Sequence, residues 1–206
     1  MAEIYPELSV IEMILVIIAS VIMVMVYRKR RDLIFWLITY ITLAIGVVIS
    51  GITDITNPEG IGHLISRIFY VGSSLSLFIG VFKEYHETFS KDKLNTIKLS
   101  STIIATIAMG FYVILLELVI IICCGFCTIM LIRISLEKKT FTHAFLSISI
   151  TNVLFSLILT VTESFGVEGM TLYSLGMNII FFTTLLITAI VALLDKKIID
   201  SLSEKN

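Results

Sequence analysis

Cys124-Gly125-Phe126-Cys127 has the spacing of a zinc-ligand pair or a redox dithiol. A zinc site needs further ligands, and no histidine or second cysteine pair matches this one. The pair also lies in the middle of an apolar run with Cys123 beside it, so the three sulfurs read as small, polarizable core residues. They are too close together to staple loops, and the redox compartment cannot be read from them.

The second group with chemical potential is polar and also sits in apolar sequence. His63 and Arg67 are four residues apart, which places them on one helical face, and Tyr70 and Ser74 continue it. Arg67 without a partner would be costly in a membrane, so an acidic partner is expected among Glu12, Asp54, Glu117 and Glu163. Either these residues line an outward-facing polar pocket, or Arg67 snorkels to headgroups and loop acids. Further along, Ser149, Asn152, Ser156, Thr160 and Glu163 recur at three- and four-residue spacing, and Ser174, Asn178, Thr184 and Thr188 follow. Such faces point into a bundle, either as interhelical hydrogen-bond donors and acceptors or as the wall of a water-filled cavity.

No paired carboxylates, His/Glu metal motif or nucleophile–base pair stands out, so no catalytic residue, metal or cofactor is assigned and an enzyme is not expected. His63 is the one histidine near the outer polar face, and no cysteine lies at its depth, which argues against an intramembrane hydrolase.

The elements that must position these groups follow from composition. Of 206 residues, 57% are hydrophobic and 15% charged, against about 45–50% and about 25% in a soluble domain. The apolar residues fall in long runs between charged clusters, the pattern of an all-α, polytopic membrane protein. Seven spans are expected: Leu8–Tyr27, Leu33–Gly51, Gly62–Phe82, Ile97–Ile114, Leu118–Ile134, Phe141–Thr162 and Tyr173–Leu194. Together they make one membrane domain covering 1–206. The first is too long for a signal-peptide core and follows acidic Glu3 and Glu7, so it reads as a mature helix. The stretch Leu99–Ser135 carries only Glu117 and Arg133; a tight turn near Leu116-Glu117 divides it into spans four and five.

Orientation follows from lysine and arginine. Fourteen of the 15 basic residues fall in the first, third and fifth connections and the C-terminal tail, and Arg67 is the exception. This alternation needs an odd number of spans and puts the N-terminus outside and the C-terminus in the cytoplasm. On span three, Gly72, Ser76 and Gly80 form a small-residue ridge suited to close packing. Trp36 reads as an interface anchor, while His86 and His143 sit at the cytoplasmic rim with no special role.

Several seven-helix families are set aside by particular residues. Microbial rhodopsins need a mid-span lysine in the seventh helix, and none precedes Lys196. SWEET-type sugar transporters rely on helix-breaking prolines, but Pro6 and Pro58 both lie outside the spans. TRIC-type channels depend on glycine-kinked helices that have no counterpart here. The chain resembles the seven-helix N-terminal sensor regions of membrane histidine kinases and related prokaryotic signalling proteins. It shares their simple helices, short outer loops and basic inner loops, and Phe78-Ile79-Gly80-Val81-Phe82-Lys83-Glu84-Tyr85 is similar to their span-three exit. No kinase or cyclase follows in Lys196–Asn206.

The resemblance implies a receptor-like sensor module of the cell membrane, and the residues themselves give no expectation of enzyme activity and place the site from their polar faces. A small ligand or lipid would sit in its outer half near His63, Arg67, Tyr70, Asn152, Glu163 and Asn178. The basic inner loops would meet a cytoplasmic signalling partner or anionic lipid, and nothing suggests nucleic acid. A small transporter or channel, and a structural or assembly subunit, are the alternatives.

Overall fold

The computed structural model describes residues 6–56, 60–89, 113–164 and 170–203, with side chains at 6, 113–116, 161, 163–164, 170–172 and 195–203 excepted. Among these residues there are six α-helices and no strand. They are α1 (Pro6–Lys29), α2 (Ile34–Thr56), α3 (Gly62–Phe89), α4 (Val113–Lys138), α5 (Phe141–Ser164) and α6 (Met170–Ser203), with a 3-10 turn at Arg31–Leu33. A bilayer core about 30 Å thick needs about 20 helical residues. Each of the six contains a segment long and apolar enough to cross it. The protein is therefore a multi-pass membrane protein, with α-helices as the membrane-crossing elements among the described residues.

Local chemistry sets the helix ends. Pro6 opens α1, where its missing N–H costs no hydrogen bond. The Leu33 amide donates to the Arg30 carbonyl at 3.2 Å, which tightens the reversal into α2. Lys139 follows the end of α4 with φ 52°, the left-handed conformation that commonly stops a helix. Ser135 Oγ donates to the Thr140 carbonyl at 3.2 Å, and α5 starts at the next residue.

The helices form a closed ring in chain order. Each packs on the next, and α6 returns to α1. One end of the ring, the basic end, carries Arg30, Lys83, Arg133 and Lys138. The opposite, acidic end carries Glu12, Asp54 and Glu117 together with His63 and Arg67. Neighbours α3 and α4 run parallel: Arg67 meets Glu117 at the acidic end, and Glu84 meets Lys138 at the basic end.

Lipid, rather than water, explains the exterior. On α1, Val16, Ala19, Met23 and Val26 are buried at three- and four-residue spacing, while Ile14, Val21 and Met25 are exposed. Ile68, Ile129, Phe155 and Ile180 continue this apolar outer surface on the other helices.

Three expectations need correction. No turn occurs at Leu116-Glu117, because α4 begins at Val113 and Glu117 is helical; its ion pair with Arg67 lets the helix absorb the charge. The fourth predicted span, Ile97–Ile114, falls outside the described residues except at its last two positions. The packing ridge on α3 is Ser73, Ser76 and Gly80, not Gly72. Ser73 and Ser76 donate to the Thr39 and Phe35 carbonyls at 3.2 and 3.0 Å. A Cβ on Gly80 would lie 2.8 Å from Phe35 Cβ, whereas one on Gly72 would meet nothing within 4 Å. Finally, Trp36 is buried, not an interface anchor: it stands edge-on to His143 with ring centres 5.6 Å apart.

Candidate ligand-binding cavity

Within the ring lies a partly open cavity of about 210 Å³ lined by residues of all six described helices. Its wall is mainly apolar, with Leu43, Leu77, Ile120, Leu146, Ile150, Val153, Leu157, Phe181, Phe182 and Leu185. Along α5 the lining runs from Leu146 to Thr160, about 21 Å of helix at 1.5 Å per residue.

Polar groups concentrate toward the acidic end. Ser156 is a hub between α5 and α6: its hydroxyl lies 3.0 Å from Ser174 Oγ and 2.6 Å from Asn178 Oδ1. Thr160 Oγ1 lies 2.9 Å from Ser174 Oγ. The stripe read from the sequence as one polar face thus knits two helices together, and Ser156, Thr160 and Asn178 also face the cavity. Tyr70 reaches the cavity from α3. Its ring packs where α2 has no side chain, since a Cβ on Gly46 would come within 2.8 Å of Tyr70 Cε1.

Glu12 enters the same wall from α1. Its Oε1 is the one buried side-chain oxygen or nitrogen among the described residues that has no hydrogen-bond partner. Toward the basic end the cavity hydroxyls are already engaged by helix carbonyls. Thr39 Oγ1 donates to the Phe35 carbonyl at 2.8 Å, and Tyr40 OH donates to the Leu185 carbonyl at 3.1 Å.

The six residues expected to form a ligand site do not all converge. Tyr70 and Asn178 line the cavity. His63 and Arg67 do not: His63 Nε2 is 3.5 Å from Asp54 Oδ1, and Arg67 Nη2 is 3.4 Å from Glu117 Oε1. Asp54 also accepts a hydrogen bond from Ser9 at 2.9 Å. Among the described side chains, Glu117 is thus the carboxylate that Arg67 pairs with, while Asp54 serves α1 and α3 from α2. Asn152, half-buried on α5, is absent from the cavity wall. The Glu163 side chain falls outside the description.

A polar cluster at the basic end escaped the sequence reading. Glu84 Oε1 accepts hydrogen bonds from Lys138 Nζ and His143 Nε2, each at 2.8 Å. Thr140 Oγ1 contacts His143 Nδ1 on the other side of the ring. Arg133 Nη1 donates to Tyr85 OH at 2.6 Å, and Arg133 Cζ lies 6.0 Å from the Tyr85 and Phe89 ring centres. The available sequence signal was Thr140-x-x-His143 at a helix start, the spacing at which a residue before the helix meets its third residue. A pocket of about 160 Å³ beside this cluster has Arg30, Lys83 and Lys138 in its wall together with Asp32, Glu84 and Glu87.

Among the described residues no three His, Cys, Asp or Glu side chains converge to hold a metal. The three cysteines are buried and free, and Cys124 contributes to the cavity wall. The cavity can therefore hold a small, slender molecule by apolar contact, with its orientation fixed by polar groups at one end. Set against known protein families, curated proteins and solved structures, the chain matches none.

Proposed function

We propose that the protein is a seven-span, non-enzymatic sensor or receptor-like module of the cell membrane, and that it holds a small ligand or lipid segment within its ring of helices. The observation that carries this reading is the cavity itself: six helices contribute to one mainly apolar space, and the one buried unpartnered polar atom in its wall, Glu12 Oε1, lies at the acidic end. A bundle serving only as an assembly scaffold has no need of such a space. Transport would call for polar groups along the whole path, yet Thr39 and Tyr40 turn their hydroxyls to carbonyls at the basic end.

The seventh span is the Ile97–Ile114 segment. In support, α3 ends at the basic end and its parallel neighbour α4 starts at the acidic end, so the connecting chain has to return across the bilayer. An odd span count with basic connections at one face then orients the N-terminus outside. The cavity's polar groups would face the outer half. The resemblance to sensor regions of histidine kinases suggests that the basic loops meet a cytoplasmic signalling partner or anionic lipid.

The test is binding to the full chain in lipid nanodiscs, read with a small fluorescent apolar probe. Saturable binding is expected, and Ile150→Trp or Val153→Phe, which fill the cavity, should weaken it by about tenfold or more while the helical content stays unchanged. Absence of saturable binding would overturn the reading. Solute flux into proteoliposomes would replace it with transport.

A further inference from the structure

Glu12 presents a buried, unpartnered Oε1 in a cavity that is otherwise mainly apolar. In lipid a carboxylate requires a protein partner or water. The basic groups nearest in the fold are committed elsewhere: Arg67 to Glu117 at 3.4 Å, and His63 to Asp54 at 3.5 Å. The serine and threonine hydroxyls of the same wall are hydrogen-bonded to one another, to Asn178 or to helix carbonyls, as at Ser156, Ser73 and Ser74. At the acidic end the cavity thus offers the unpartnered carboxyl oxygen of Glu12, and the remainder offers apolar contact with Leu43, Leu77, Ile150 and Phe181.

We propose that the cavity binds an organic cation of slender shape, an alkylammonium whose charged head meets Glu12 and whose tail runs along α5 toward Leu146. The narrow volume, about 210 Å³, suits a single short chain rather than a fused-ring molecule or a two-chain lipid. This deepens the reading of the cavity as a ligand site and rests on it.

The experiment compares three probes of matched length, octylammonium, octanol and octanoate, as competitors of the fluorescent probe on the full chain in uncharged phosphatidylcholine nanodiscs at pH 7. Octylammonium should compete at least about tenfold better than octanol, in line with coupling across a close charge pair, and octanoate should be the weakest. Glu12→Gln should bring octylammonium to within about threefold of octanol, and Glu12→Asp should keep most of the preference. Partition into the bilayer is the same for every variant, so the wild-type to Glu12→Gln ratio isolates the site. Should Glu12→Gln fail to fold, the amine-to-alcohol ratio in the wild type and in Glu12→Asp still decides the matter. Octanol and octylammonium competing equally, or a preference that survives in Glu12→Gln, would overturn the cation assignment while leaving the cavity a ligand site. Failure of all three to compete would remove the ligand site as well.

Discussion

Glu84 and His143 meet at 2.8 Å across the interior of the basic end, although 59 residues separate them in sequence. His143 is 6% exposed at its side chain and Glu84 14%, so neither is easily rescued by water. Lys138 shares the same carboxylate oxygen but is 38% exposed. Loss of His143 leaves Glu84 with Lys138 alone and removes a hydrogen bond to a charged group, at a cost of about 2 kcal/mol. His143→Ala should therefore lower stability by about that amount. Lys138→Ala should cost about 1 kcal/mol or less, as for an exposed pair. Equilibrium unfolding in detergent checks both, and equal effects would contradict the different burial of the two partners.

Arg67 and Glu117 form the corresponding contact at the acidic end, at 3.4 Å with side chains 37% and 19% exposed. Such a pair is worth about 1 kcal/mol or less. Arg67→Met should lower the melting temperature modestly, Glu117→Gln should do the same, and the double variant should cost less than the sum of the two. An unchanged melting temperature in Arg67→Met would mean that headgroups or detergent support the guanidinium instead.

Two glycines on one helix should respond in opposite ways. Gly80→Ala drives a Cβ to 2.8 Å from Phe35 Cβ, next to the backbone where α2 has little room to yield. The expected loss is about 1–3 kcal/mol. Gly72 faces outward with nothing within 4 Å, and Gly72→Ala should be neutral or stabilise by up to about 1 kcal/mol through helix propensity. Thermal unfolding of the two single variants is sufficient to check this.

The proposed seven-span topology makes a separate prediction. Tags at the two chain ends should be reached from opposite sides of the membrane. A cysteine placed at Gly60 should react with an impermeant reagent from outside, and one placed at Lys139 only after permeabilisation. The native cysteines should stay silent in the folded protein because they are buried. Both tags on one side would remove the seventh span.

The spans that end in charge were legible in the sequence. Arg28-Lys29-Arg30-Arg31 stops α1, and Lys138-Lys139 separates α4 from α5, because charge cannot stay in hydrocarbon without a partner. The same rule misled at Glu117, where a partner exists fifty residues earlier and lets the helix continue. The inward face of α1 was not legible: Val16 and Ile17 are equally apolar, and only packing assigns one to the core and the other to lipid. For the site, spacing placed Ser156 and Thr160 on one face of α5, since helical periodicity is a local property, but that Asn178 of α6 meets them is a matter of packing. Spacing could not separate Tyr70, which reaches the cavity, from Arg67 three residues before it, which turns to α4. Nor could it find His143, whose role depends on a carboxylate on another helix.

The bond from Tyr40 to the Leu185 carbonyl joins α2 and α6, the two helices that flank α1 in the ring. On the ligand reading proposed above, it makes the cavity a ruler. A tail anchored at the acidic end can lengthen freely until it reaches that hydroxyl, and beyond that point each added methylene must prise the two helices apart. Within a homologous series affinity should climb by about fourfold per methylene, at about 0.8 kcal/mol each, and then break off sharply. Tyr40→Phe should shift the length at which the break occurs.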